Sequence, residues 1–261
     1  MCFSYQSKPP IVPIAGAAID TEDVTITASD GNSFAAFVAR AEMPLGPALV
    51  VMPDVRGLFP FYEELAMRFA EYGYDSIAMD YFGRTNGAEK RDADFEWKEP
   101  IFQTTFDGVK ADVGACVDYL RLASDEEERK VFTVGFCYGG SSSWAQSANS
   151  HGLSGAIGFY GHPTREGPPP GAPATIDLVS QFEAPILGLM AGADQNIPRA
   201  EVEKFEMALK AVEHPHEIYI YDGAPHSFFD RGFEEYADES TDAWNRVLRF
   251  IEQYSTVEAS I

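Results

Sequence analysis

The feature that most constrains this chain is an alternation: short, almost wholly apolar runs recur along it, separated by longer segments with helical spacing. Ala48-Leu49-Val50-Val51-Met52, Asp75 to Met79, Lys130 to Phe136, Ala156-Ile157-Gly158-Phe159-Tyr160, Pro185 to Met190 and Glu217 to Tyr221 have the length and character of buried strands. Between them, Tyr62 to Tyr72 carries Leu65, Phe69 and Tyr72 at helical intervals and stops at Gly73. Phe106 to Leu122 sets Val109, Val113, Val117 and Leu120 on one face. Gly139 to Asn149, Pro198 to Val212 (Pro198 suiting a first turn) and roughly Glu239 to Tyr254 are further helices. Strands alternating with helices imply βαβ crossovers, hence an α/β fold with a mostly parallel central sheet and helices on both faces. Upstream, Val24 to Thr27 and Phe34 to Ala39 flank Asp30-Gly31, the signature of a β-hairpin.

A chain of 261 residues with 45% hydrophobic residues can bury a sizeable core. With no internal repeat and no long linker, we expect a single domain over residues 1–261. Residues 1–20 form an irregular, Pro-rich N-terminal segment, and insertions at 85–105 and 162–175 follow strands. Both insertions could cover the site or merely decorate the surface. No apolar stretch is long enough to span a bilayer, and the first residues lack the pattern of a secretory signal. The formal charge of −22 argues against nucleic acid and against anionic membrane surfaces as partners. It does not fix the field inside a cleft, so a small anionic substrate stays compatible. Cys2, Cys116 and Cys137 are too few and too scattered for a disulfide framework or a structural zinc site. Free thiols fit a reducing cytoplasm. No metal and no cofactor is expected, and the chain is taken as a monomer or small homo-oligomer.

Active sites of parallel sheets lie beyond the carboxyl ends of the strands. Gly135-Phe136-Cys137-Tyr138-Gly139-Gly140 occupies such a place, between a strand and a helix, and matches the G-x-nucleophile-x-G elbow with cysteine as nucleophile. The sharp turn leaves no room for side chains two residues to either side, which Gly135 and Gly139 respect. The helix N-terminus favours a thiolate, and the N–H of Tyr138 is a natural oxyanion donor. Cys116, inside a helix, and Cys2, in the tail, are read as structural or incidental. Ser141, Ser142 and Ser143 are read as packing or capping groups.

A thiol nucleophile needs a base, and the base an orienting group. Asp194, in Gly192-Ala193-Asp194, and His226, in Ala224-Pro225-His226-Ser227-Phe228, each follow a strand, in the order nucleophile, acid, histidine. Alone, Asp194 could be a helix cap and His226 a loop histidine; together with Cys137 they form a candidate triad. His162, just after another strand, could line the pocket. His151, His214 and His216 are read as solvated.

These motifs resemble the dienelactone hydrolase (carboxymethylenebutenolidase) family, from about Ala48 to the last helix, and so imply the α/β-hydrolase fold. The resemblance implies hydrolysis of enol lactones such as dienelactone; relatives act as general esterases. It further implies a carboxylate near the resting thiol, for which Met52-Pro53-Asp54-Val55-Arg56-Gly57 supplies Asp54 where the family has Glu. The N–H of Val55 would be the second oxyanion donor. Of the family's two carboxylate-binding arginines, Arg84 in Asp80-Tyr81-Phe82-Gly83-Arg84 maps onto the first. The position of the second is Asp230 here, with Arg231 adjacent. The expected reaction is attack by the Cys137 thiolate on a lactone or activated ester, an acyl-thioester, and its hydrolysis with His226 as base. A broad carboxylesterase that does not act on dienelactone, or a non-catalytic binding protein on the same fold, are the alternatives.

Overall fold

The computed structural model describes residues 3–124 and 129–256. The strands are β1 (Ile19–Thr27), β2 (Ser33–Ala41), β3 (Ala48–Met52), β4 (Asp75–Met79), β5 (Val131–Phe136), β6 (Gly155–Phe159), β7 (Ile186–Ala191) and β8 (His216–Tyr221). They form one eight-stranded sheet in the order β1-β2-β4-β3-β5-β6-β7-β8. The expected hairpin is β1–β2, antiparallel, with Asp30 and Gly31 in its turn; β2 also runs antiparallel to β4. From β4 to β8 every pairing is parallel.

The helices are α1 (Pro60–Glu71), α2 (Gly83–Asn86), α3 (Lys98–Gln103), α4 (Phe106–Leu122), α5 (Tyr138–Gln146), α6 (Arg199–Ala211) and α7 (Ala237–Thr256). The apolar runs are continuous because both sheet faces are covered. Along β3, Leu49 and Val51 pack with Leu65 and Phe69 of α1 and with Val247 and Ile251 of α7. Val50 and Met52 face the other way, toward Val113 and Val117 of α4. Further along that second face, Trp144 of α5 packs with Val202, Phe205 and Leu209 of α6. The short helices α2 and α3 and the 3-10 turn Thr175–Gln181 lie in segments whose sequence carries no apolar period long enough to announce them.

The irregular N-terminal segment is nonetheless docked: Phe3 is buried, with its ring stacked on Phe61 at 3.8 Å. Cys2 lies outside the described residues. No helix among the described residues is long and apolar enough to cross a membrane.

The topology fixes where chemistry can occur. From β3, one crossover leads to β4 on one side and the next leads to β5 on the other. Beyond the carboxyl ends of two such strands a crevice must open. Met52 of β3 is paired with Gly135 of β5, so residues 53–55 and Cys137 emerge side by side at its edge.

Candidate active site

Cys137 sits at the bend between β5 and α5 with φ 57° and ψ −114°, a conformation that is costly for a residue with a Cβ. The surroundings hold it there. Its N–H donates to the Phe159 carbonyl at 3.0 Å, and its own carbonyl accepts from Gly140 and Ser141. A Cβ on Gly135 would stand 1.9 Å from the Gly139 carbonyl oxygen, and one on Gly139 would stand 2.2 Å from the carbonyl oxygens of Met52 and Pro53. The small residues thus let α5 close against both neighbouring strand ends, which lifts the thiol above the sheet.

The loops after β7 and β8 are laced together. Gly192 N–H donates to the Tyr221 carbonyl (2.8 Å) and Ala193 N–H to the Ala224 carbonyl (3.0 Å). This carries Asp194 to His226, whose Nδ1 lies 2.5 Å from Asp194 Oδ2. The same imidazole hydrogen-bonds Cys137. Residues 137, 194 and 226 therefore meet, although they are far apart in the chain. Burial works against ionisation of Asp194, but the hydrogen bond and charge of His226 and the N–H groups of Asn196 and Ile197 hold its carboxyl below the usual range. Burial likewise opposes a charge on His226, but the hydrogen bonds to Asp194 and Cys137, with their charges, push it up to about 9. Tyr160, at the end of β6, lays its ring 4.9 Å from the imidazole.

A raised pKa means that His226 is protonated below about pH 9. Its contribution to folding is complete below its ordinary 6.5 and is lost as pH rises through about 9. In an NMR titration its ring resonances are expected to move near pH 9. In Cys137→Ala they should move at distinctly lower pH, because both the thiol hydrogen bond and the thiolate charge are gone. An unchanged midpoint in the variant would show that the two side chains are not coupled.

A cavity of about 250 Å³ opens over this group. Val55, Phe106, Val109, Tyr138 and Tyr160 form apolar walls; Ser141, Ser142, Gln146, Thr175 and Asn196 add polar groups. Residues 162–175 supply another side, with His162, Arg165, Pro168, Pro169, Ala172 and Pro173. Tyr138 opens α5, so its N–H has no partner within the helix, and Val55 brings a second backbone N–H from the β3 side. Among the described residues no three His, Cys, Asp or Glu side chains converge as metal ligands would.

The dienelactone hydrolase family model matches residues 34–255. The chain belongs to the dienelactone hydrolase family. Over 268 residues it is 28% identical to the carboxymethylenebutenolidase of Rhodococcus opacus, covering 98% of each chain. Over 266 residues it is 28% identical to a protein of Escherichia coli K12 provisionally named a carboxymethylenebutenolidase, covering 97% of this chain and 98% of that one. A crystal structure of a Klebsiella pneumoniae protein, provisionally titled a dienelactone hydrolase, superposes with a TM-score of 0.77 at 28% identity, covering 91% of this chain and all of that one. The protein is thus a hydrolase with the α/β-hydrolase fold of this family, which acts on small-molecule substrates.

Against the family pattern, the structure places several residues differently from the sequence reading. Arg84 is not brought to the cavity: it pairs with the buried Asp112 of α4 and, at 2.5 Å, with Asp30 of the hairpin turn. Asp230 is buried, taking Ser7 Oγ at 2.5 Å and the Gly232 N–H at 2.8 Å. Arg231 also points away, with its guanidinium on the Pro9 carbonyl. Asp54 is buried under Arg56, which contacts both of its oxygens. Insertion 85–105 packs Phe95 and Trp97 against the α4 layer and contributes nothing to the cavity lining.

The histidines read as solvated are each partly buried and hydrogen-bonded to the protein. Burial pulls His151 down to about 4, and it hydrogen-bonds Gln146. His214 is also lowered by burial and reaches the Ala184 carbonyl, and half-buried His216 reaches the His214 carbonyl. His162 lines the cavity; burial, then Arg165, lowers its pKa. Ser141 and Ser142 line the cavity, whereas Ser143 is buried on Thr133. Cys116 is buried in α4, and burial pushes its thiol well up. Sequence reasoning singled out neither the apolar and amide lining residues from α4, α5 and the loop after β7 nor Arg165, the one arginine among the lining residues. Arg165 lies in a Pro-rich stretch with no periodic signal, and only its position after β6 could have drawn notice.

Proposed function

We propose that this protein hydrolyses enol lactones or activated carboxylic esters through an acyl-thioester on Cys137. The observation that carries this reading is one imidazole hydrogen-bonded to both Asp194 and Cys137 at the floor of a cavity. In the resting state the thiolate and the imidazolium stabilise each other. The sulfur attacks the substrate carbonyl, and the N–H groups of Val55 and Tyr138 receive the developing oxyanion. The adduct collapses as the C–O bond breaks, and the departing enolate or aryloxide takes the proton from His226. Acylation removes the sulfur's charge, so two of the influences that raised the His226 pKa vanish. The ring, now neutral and still oriented by Asp194, can accept a proton from water as it attacks the thioester. That attack expels the thiolate and restores the starting pair.

A good leaving group is needed because a thiolate is itself readily expelled from the tetrahedral adduct. An alkoxide from a simple alkyl ester competes poorly with it. Enolates and aryloxides do better, in keeping with the enol-lactone chemistry that the name of the Rhodococcus relative describes. Steady-state kinetics on enol lactones, saturated lactones, aryl esters and alkyl esters test the reading. We expect kcat/KM to fall in step with rising leaving-group pKa; equal turnover of alkyl and aryl esters would contradict it.

Arg165 is the arginine of the lining, and no carboxylate side chain among the lining residues opposes it except through the His226–Asp194 pair. A substrate carrying a carboxylate gains a charge-assisted hydrogen bond there. Arg165→Ala is expected to raise KM for anionic substrates about tenfold and to leave KM for neutral esters unchanged. Arg84→Ala should not separate the two classes.

A further inference from the structure

We propose that Tyr81 is a positioning residue that sets the spacing of the two oxyanion N–H donors, with Tyr62 as its counterpart on the opposite side of the same peptide unit. The inference rests on the hydrolytic reading above. Tyr81 follows β4 and is almost fully buried, as is Tyr62 on α1. The Tyr81 hydroxyl donates to the Pro53 carbonyl oxygen at 2.8 Å. The Tyr62 hydroxyl oxygen accepts from the Asp54 N–H at 3.0 Å. That carbonyl and that N–H belong to one peptide plane, so two phenols from different elements grip it from opposite sides.

The next peptide plane carries the Val55 N–H. Its carbonyl end, on Asp54, accepts from Gly57 N–H at 3.1 Å, closing a turn that aims the Val55 N–H the other way. The Asp54 carboxylate reinforces the turn by accepting the Arg56 N–H at 2.9 Å. Tyr81 also touches the second donor's residue: its ring meets the Tyr138 ring edge-on, with centroids 5.1 Å apart. The Tyr138 hydroxyl is in turn held by Ser142 and Thr104. One side chain therefore spans the loop bearing the Val55 N–H and the residue bearing the Tyr138 N–H. Burial keeps the Tyr81 phenol far above its ordinary pKa, so it stays a donor. Neither phenol lies on the cavity lining, so neither is expected to touch substrate.

The test is to compare two reactions of the same sulfur in purified full-length Tyr81→Phe and Tyr62→Phe. Turnover of an aryl ester passes through an oxyanion. Alkylation of Cys137 by iodoacetamide needs the thiolate but forms no oxyanion. We expect kcat for the ester to fall about tenfold in each variant, with KM and the alkylation rate both within twofold of the unmodified protein. Unchanged kcat, or ester turnover and alkylation falling together, would overturn the proposal. Should Tyr81→Phe fail to fold, Tyr62→Phe carries the test alone, because it takes the acceptor from the Asp54 N–H and keeps the ring in place. Failure of the hydrolytic reading shows separately: Cys137→Ala would then keep its esterase rate, whatever the tyrosine variants do.

Discussion

Cys137→Ala is expected to lower aryl-ester turnover by about a thousandfold or more and to leave the fold intact. The two consequences separate because the thiol does chemistry while the backbone does the architecture. Alanine at position 137 meets the same positive-φ cost that cysteine already bears, so the elbow gains no new strain. What disappears is the nucleophile and the partner that helps to keep His226 charged. The oxyanion donors and the cavity remain, and the residual rate measures what they achieve with water alone. Urea denaturation should show the variant folding cooperatively, its midpoint lowered only by the share of the His226 stabilisation that Cys137 supplied. Retention of a tenth of the activity would end the cysteine-nucleophile reading, since no positioning effect could replace the attacking atom so well.

Gly135→Ala should do the reverse, damaging the fold first and activity as a result. Its new methyl would lie 1.9 Å from the Gly139 carbonyl oxygen, 2.3 Å from that carbonyl's carbon and 2.9 Å from the Gly140 nitrogen. All three are backbone atoms of the first turn of α5, so no side-chain rotation relieves the clash. The helix must retreat from β5, but the Cys137 carbonyl, which accepts from Gly140 and Ser141, ties it to the bend. We expect a loss of about 3 kcal/mol or more in urea denaturation. Activity should fall as well, because the Tyr138 N–H and the thiol move with the helix. Gly31→Ala is the control. Gly31 has a positive φ in the hairpin turn but nothing within 4 Å of the added methyl. It should cost only about 1 kcal/mol and leave turnover unchanged. Equal losses in the two variants would show that glycine's conformational freedom, rather than close approach, matters at position 135.

Much of this protein was legible in its sequence because the relevant physics is local. A strand covered on both faces has to be largely apolar, so β3, apolar from end to end, could be delimited to the residue, and α4 announced both its ends through periodicity. Cys137, Asp194 and His226 could be singled out because each follows a strand of the parallel part of the sheet, and the carboxyl ends of parallel strands all open on one edge. Even the glycines flanking Cys137 are local, since a bend that sharp excludes side chains whatever surrounds it.

Tertiary structure decided what long side chains reach. Arg84 had a motif position but no motif-given partner; the hairpin turn and α4 happen to bring Asp30 and Asp112 to it, and two carboxylates outbid an open cavity. Asp230 became an anchor for Ser7, more than two hundred residues away in the chain. Arg165 and the Tyr62–Tyr81 grip on residues 53–54 carry no periodic signal, because an arginine or tyrosine tip lies several ångströms from its own backbone. Local pattern determines the path of the chain and the places where reactive groups emerge. The partners of those groups depend on which distant segments the folded chain packs beside them.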